Sequence, residues 1–350
     1  MRRFLIYLII IGIFISCNEN KNIPDVSSIK VKLDTKRFEK DFFGIDTNNV
    51  AQSMKSVLQK YPDFLPAFTA NMLGLDLDSL LVPGNRQAQG VRMFIHDYMP
   101  LKDSAELLYK NFNNETKSIE NGLQFVKYYF PGYQIPQSII TFIGPINANF
   151  ETSFGVQGDV LTSNSIGIGL TLHMGKDFSF YKSREGMEEY PEFLSNNFDK
   201  EHIAVNCMRN IVDDLFPARL KGRALIEQMV DRGRRMYLLT QFLPHTPEYL
   251  CMGYTKTQMK DAEKNEAVIW DFFLNNNLLN KTDDNMVQNY IGESPKTQEL
   301  GEGAPGNIGT FSGLQIVKKF MKLYPETKLA ELMQKDAREI YDKSKYKPRI

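Results

Sequence analysis

Ile166-Gly167-Ile168-Gly169-Leu170-Thr171-Leu172 is the stretch whose reading decides the fold. Apolar residues fill every second position, a period of two that predicts a strand. Ser138-Ile139-Ile140-Thr141-Phe142-Ile143 is a second β-type run, ended by Gly144-Pro145, and Gly158-Asp159-Val160-Leu161-Thr162-Ser163 lies between them. Together they predict a small antiparallel or mixed sheet over residues 138–173. The chain around them has helical spacing. Glu201 to Phe216 carries two apolar stripes, Ile203/Cys207/Ile211/Leu215 and Ala204/Met208/Val212/Phe216, so this helix belongs to the core, and Pro217 stops it. Further helices are expected over 49–60, 67–73, 86–97, 104–112, 117–130, 222–242, 256–275 and 311–323, and beyond Pro325. Ile29-Lys30-Val31-Lys32-Leu33 alternates and reads as a short strand. No repeat or low-complexity linker divides residues 29–350, which read as one α+β domain: a helical N-terminal part, a central sheet and a helical C-terminal half.

Ahead of that domain stands Met1-Arg2-Arg3, then the run Phe4 to Ile15, apolar apart from Gly12, then Ser16-Cys17. A positive start and a short apolar stretch predict a signal peptide over residues 1–16. The run is too short to span a bilayer, which takes about 20 apolar residues. Phe14-Ile15-Ser16-Cys17 resembles a bacterial lipobox, with Phe14 where Leu is usual. Cys17 is therefore the expected lipid attachment site, and residues 17–28 a lipidated tether. Several acyl chains hold a protein to a membrane where one is marginal. Asn18 follows the cysteine in place of an Asp that retains some lipoproteins at the inner membrane, which favours the outer membrane.

The full chain of 350 residues has 42 Lys+Arg and 42 Asp+Glu. Cleavage before Cys17 removes Arg2 and Arg3, leaving 40 basic against 42 acidic residues, a formal charge of −2. Such a balance argues against a nucleic-acid partner, which calls for surplus positive charge. The C-terminal residues 318–350 run basic, with ten Lys+Arg and five Asp+Glu. Four histidines, His96, His173, His202 and His245, are scattered without ligand spacing and read as core or surface residues, so no metal is expected. No Gly-x-Ser-x-Gly elbow occurs. Cys207 falls in an apolar stripe and reads as buried, and Cys251 could pair with it in an oxidising compartment. Gly301-Glu302-Gly303-Ala304-Pro305-Gly306-Asn307-Ile308-Gly309 lacks the ending of a phosphate loop. It reads as a left-handed turn into the next helix, with Gly313 permitting close helix packing. Arg232, Arg234 and Arg235, with Arg219, Lys221 and Arg223 nearby, read as a solvated helix face.

A series of short motifs runs in order after Cys17: Lys36-Arg37-Phe38-Glu39-Lys40-Asp41-Phe42-Phe43, Tyr61-Pro62-Asp63-Phe64, Ile166-Gly167-Ile168-Gly169-Leu170, Met174-Gly175-Lys176-Asp177, Phe180-Tyr181, Asn265-Glu266-Ala267-Val268-Ile269-Trp270, and Pro305 to Val317. In these the chain resembles the GldB family of gliding-motility lipoproteins over nearly its whole mature length. The resemblance implies an envelope lipoprotein of the gliding machinery, coupled to type IX secretion, with other proteins of that apparatus as partners. It also implies a zincin-like fold, in which a strand at the edge of the site precedes an HExxH helix. The strand would be Ile166 to Leu172, and Ile166, Ile168, Leu170 and Leu172 a possible partner-binding edge. The pentapeptide would be Asn206-Cys207-Met208-Arg209-Asn210. Asn206 and Asn210 keep the one-turn spacing of the two histidines, but amides bind zinc poorly and Cys207 cannot serve as the carboxylate base. Arg232, near the third ligand position, would repel a dication. The expectation is a non-catalytic scaffold or binding protein with no cofactor beyond its covalent lipid; the alternative is a zincin-type metallohydrolase.

Overall fold

The computed structural model describes residues 23–218, 222–301 and 303–349. Its strands are β1 (Asp34–Arg37), β2 (Ser138–Phe142), β3 (Phe150–Thr152), β4 (Gly155–Gln157), β5 (Val160–Leu161) and β6 (Ser165–Gly169). Four of them form one sheet in the order β1-β2-β6-β5, and β3 and β4 form a separate hairpin. Strands β1 and β6 both run parallel to β2, while β5 runs antiparallel to β6, so the sheet is mixed. A parallel β1–β2 pair needs a long crossover, and the helices between residues 38 and 129 supply it. Every residue of β2 is buried, which is why that strand reads as a nearly unbroken apolar run.

The principal helices are α1 (Phe38–Phe43), α2 (Val50–Lys60), α3 (Ala88–Leu108), α4 (Asn113–Tyr129), α5 (Ile203–Leu215), α6 (Leu225–Phe242), α7 (Glu248–Met252), α8 (Lys256–Lys264), α9 (Glu266–Asn275), α10 (Asp284–Ile291), α11 (Ile308–Leu323), α12 (Leu329–Gln334) and α13 (Ala337–Ser344). The fold is α+β, predominantly helical with a small sheet. One apolar cluster runs through it from Leu33 to Ile340. Helix α5 is central to this cluster: Ile203, Cys207, Met208, Ile211 and Val212 are buried on its two stripes. Helices α6 and α11 cross backbone to backbone. A Cβ on Gly313 would strike the Met229 carbonyl, and one on Gly233 would strike the Gly313 backbone. Gly313 thus permits the close packing expected of it.

Several expectations need correction. The first strand is not Ile29–Leu33 but the more polar Asp34–Arg37. The alternation in 29–33 reflects packing beside α4: Leu33 is buried, its N–H donates to Glu120 Oε1 at 2.8 Å, and Gln124 Nε2 donates to the Ile29 carbonyl at 2.6 Å. The helices expected over 86–97 and 104–112 are one helix, α3, which carries Pro100 inside it. The helix expected over 256–275 breaks at Asn265 into α8 and α9. The proposed docking edge is not an edge. Strand β6 is hydrogen-bonded on both sides, to β2 and to β5. Ile166, Ile168, Leu170 and Leu172 are at most 1% exposed, and residues 170–172 turn out of the strand as a short 3-10 segment. Alternation marked these side chains as buried on one face; it carried no information about which strands lie alongside.

Candidate functional site

A cavity of about 1040 Å³ opens beside the core. Its wall is built from the β3–β4 hairpin, the loop 174–178, the segment before α5, one face each of α5 and α6, the end of α7, and the loops that follow α10 and precede α11. The charged floor comes from the two long helices. Arg209 projects from α5 and is only 8% exposed. Its Nη2 donates to the Cys251 carbonyl at 2.9 Å and its Nη1 to Asn206 Oδ1 at 3.3 Å. The Phe154 ring of the hairpin lies 5.6 Å from the guanidinium carbon. Arg232 projects from α6 into the same cavity. The Nε of each arginine is buried and has no partner among the described residues. Three more lining groups are in the same condition: His202 Nε2, Asn307 Oδ1 and Thr310 Oγ1.

Two carboxylates shape the field on that floor. Glu293, in the loop after α10, accepts from the Val156 N–H at 3.0 Å and so pins the tip of the hairpin. Gly155 there has φ +110°, and a Cβ on it would collide with the Glu293 carboxyl, so the turn demands glycine. Burial raises the Glu293 pKa, while the Val156 bond and the charges of Arg209 and Arg232 pull it back. Asp213 holds the other end of the turn by accepting from the N–H of Ser153 at 2.8 Å and from its hydroxyl. Burial lowers the pKa of both Arg209 and Arg232, and Arg235 lowers that of Arg232 further. A guanidinium nevertheless stays protonated under ordinary conditions.

Behind the cavity the buried charges are all paired. Asp159 and His173 are each 0% exposed, with His173 Nε2 2.9 Å from Asp159 Oδ2. His173 Nδ1 lies 3.2 Å from the Asp199 carbonyl. Both ring nitrogens face acceptors, so the imidazole is held as the cation. Burial alone would lower the His173 pKa; the Asp159 carboxylate outweighs it and holds the value above normal. His202 Nδ1 lies 2.9 Å from Asp199 Oδ1, which fixes that ring and leaves its buried Nε2 without a partner among the described residues. On α6, Arg235 bridges Asp231 at 3.1 Å and Asp213 at 3.2 Å, and Arg234 pairs with Asp231.

Against this geometry stand the comparisons with known proteins. The sequence model of the gliding motility protein GldB family matches residues 19–348. The chain belongs to the GldB family. It is therefore a gliding motility component of a lipoprotein family. No curated protein and no solved structure matches the chain. No helix among the described residues is long and apolar enough to cross a membrane.

In this GldB-family chain the sequence-derived residues fall as follows. Cys17 and the signal peptide lie outside the described residues. In the pentapeptide, Asn206 accepts from Arg209, and Asn210 Nδ2 donates to the Asp159 carbonyl at 3.3 Å. Cys207 is fully buried with a free thiol, and burial pushes its pKa well above normal. His96 and His245 are on the surface; His173 and His202 instead flank Asp199, a meeting that the scattered spacing did not disclose. Among the described residues no three His, Cys, Asp or Glu side chains form a group able to hold a metal ion. The α6 arginines do not form a solvated face: Arg235 is 3% exposed, and Arg232 and Arg234 are half-buried. The glycine loop makes its left-handed turn, with φ +94° at Gly301 and +56° at Asn307, but it also lines the cavity through Gly306 and Asn307. Sequence reasoning missed Arg209, Arg232 and Glu293 as site residues. A signal did exist for one of them: Arg209 is a charge in the middle of a helix striped for the core.

Proposed function

We propose that this GldB-family chain is a non-catalytic binding component of the gliding machinery, anchored in the cell envelope by lipid on Cys17. Its place is at the outer membrane, with the type IX secretion apparatus as its working context. The observation that carries the binding role is the cavity floor: two buried-side arginines, each with an unpartnered Nε, beside His202 and Thr310 with unpartnered polar atoms. Such an inventory holds a ligand. Arginine stays protonated and does not serve as a general base near neutral pH. The pentapeptide expected at the position of a zincin motif suits the same reading, because Asn206 is engaged by the Arg209 cation and a dication placed there would meet that charge at close range. No cofactor enters this reading.

The test has two arms. Palmitate should label the wild-type protein and not Cys17→Ser, and a strain carrying only Cys17→Ser should spread poorly on a surface. Equal labelling of both removes the anchor, and normal spreading of a deletion strain removes the motility role. Stoichiometric zinc in the purified protein would replace the binding role by the metallohydrolase reading.

A further inference from the structure

The floor of the cavity carries two arginines against one carboxylate, while the rest of the lining holds Lys176 and Lys200 beside Glu151, Asp177, Glu192, Asp199 and Glu201. The guanidiniums of Arg209 and Arg232 lie there with the Glu293 carboxylate, and the ion pairs of Arg234 and Arg235 with Asp231 and Asp213 lie behind them. The carboxylates are already committed. Asp231 and Asp213 are in ion pairs with Arg234 and Arg235, and Asp213 also holds Ser153. Glu293 is bound to the Val156 N–H. Arg209 and Arg232 have no ion-pair partner of their own among the described residues, and each keeps a buried Nε unused. An unpaired charge withdrawn from water is costly, and chains avoid it unless something outside the chain completes the pair.

We propose that the cavity binds a peptide segment through one of its carboxylates, which docks between Arg209 and Arg232. This rests on the binding role proposed above and deepens it. Planar guanidiniums match a carboxylate in a two-pronged geometry. Thr310 and His202, both 3% exposed, also line the cavity, and Thr310 Oγ1 and His202 Nε2 have no partner among the described residues. Three features favour a peptide over a small metabolite. The volume of about 1040 Å³ is at the top of the range of ~300–1,000 Å³ for small-molecule sites. The wall combines this charged floor with apolar surface from Phe178, Tyr249 and Met252. The hairpin bordering it pairs only with itself among the described strands, so backbone groups other than the bonded N–H groups of Ser153 and Val156 can meet an extended chain. Because Glu293 pins the hairpin while sitting in the field of the same two arginines, an incoming carboxylate would take over those cations and loosen the tip.

Binding to the full-length lipidated protein in detergent tests this, using fluorescent peptide pools of six residues. One pool has a free C-terminal carboxylate and no acidic side chains; a second is its C-terminal amide; a third is the amide with one Glu. Inorganic phosphate serves as a competitor. Binding of the first or third pool but not the second supports the site and identifies which carboxylate it takes. Arg232→Gln, which loses no hydrogen bond or ion pair among the described residues, should weaken that binding about tenfold or more, and Arg209→Lys, which keeps the charge but not the fork, by a smaller factor. Equal binding of all pools, no binding of any pool, displacement by phosphate at the same concentration as by peptide, or unaltered affinity of Arg232→Gln each overturns it. The motility role is read separately: loss of spreading by Arg232→Gln without any peptide binding would keep that role and discard the ligand.

Discussion

Two groups of buried charge lie within this molecule, and they differ in one respect. Behind the cavity, Asp159 and His173 are sealed together, and Arg234 and Arg235 are bridged to Asp231 and Asp213. On the cavity floor, Arg209 and Arg232 lack such partners. The first group completes itself and so holds the fold. The second is incomplete without an added anion and so points outward. Burial alone does not mark a functional charge; what singles out Arg209 and Arg232 is that they line a cavity and have no ion-pair partner among the described residues.

The contrast can be broken most easily at Asp159. Asp159→Ala leaves His173 as an uncompensated buried cation and frees the Gly169 N–H that Asp159 now accepts at 3.0 Å. A loss of about 3–5 kcal/mol is expected in urea unfolding, and a loss under 1 kcal/mol would mean that the pair is not structural. Next in size is Gly313→Ala, where the new methyl meets the Met229 carbonyl and the α6–α11 crossing must open. About 1–3 kcal/mol or more is expected, and wild-type stability would contradict the contact.

Those two positions also show what was legible beforehand. Gly313 and the stripes of α5 were readable because each concerns one helix and its own periodicity. The sheet was readable from the apolar runs at 138–142 and 165–169, but not its order, because strand neighbours depend on chain crossings that alternation does not record. The strand Asp34–Arg37 was hidden by its polarity, and its role as a sheet edge suits polar side chains. Asp159, His173, Asp199 and His202 meet only in three dimensions. Arg232 was misread because a cluster of arginines on a helix is usually solvated, and here Arg234 and Arg235 are held by acidic partners while Arg232 lines the cavity.

A smaller effect follows from pH. The His173 pKa is raised in the folded chain above its ordinary value of 6.5, so its contribution to stability is complete below that value. That contribution is lost as pH rises through the folded value. Unfolding free energy should therefore decline on the alkaline side of 6.5, and His173→Gln should flatten that slope; an unchanged slope assigns the titration to another group. The smallest stability effect is expected at the floor of the cavity. Arg232→Gln breaks no hydrogen bond or ion pair among the described residues and should change stability by about 1 kcal/mol or less. A loss as large as that of Asp159→Ala would erase the distinction between the two groups.

The same variant gives the most direct test of the central claim, that the unpartnered arginines serve gliding by binding. Surface spreading is measured for cells whose only copy is Arg232→Gln, with the lipidated protein at wild-type abundance. The account predicts that these cells fail to spread although the protein is folded and anchored. Normal spreading at normal abundance would contradict it.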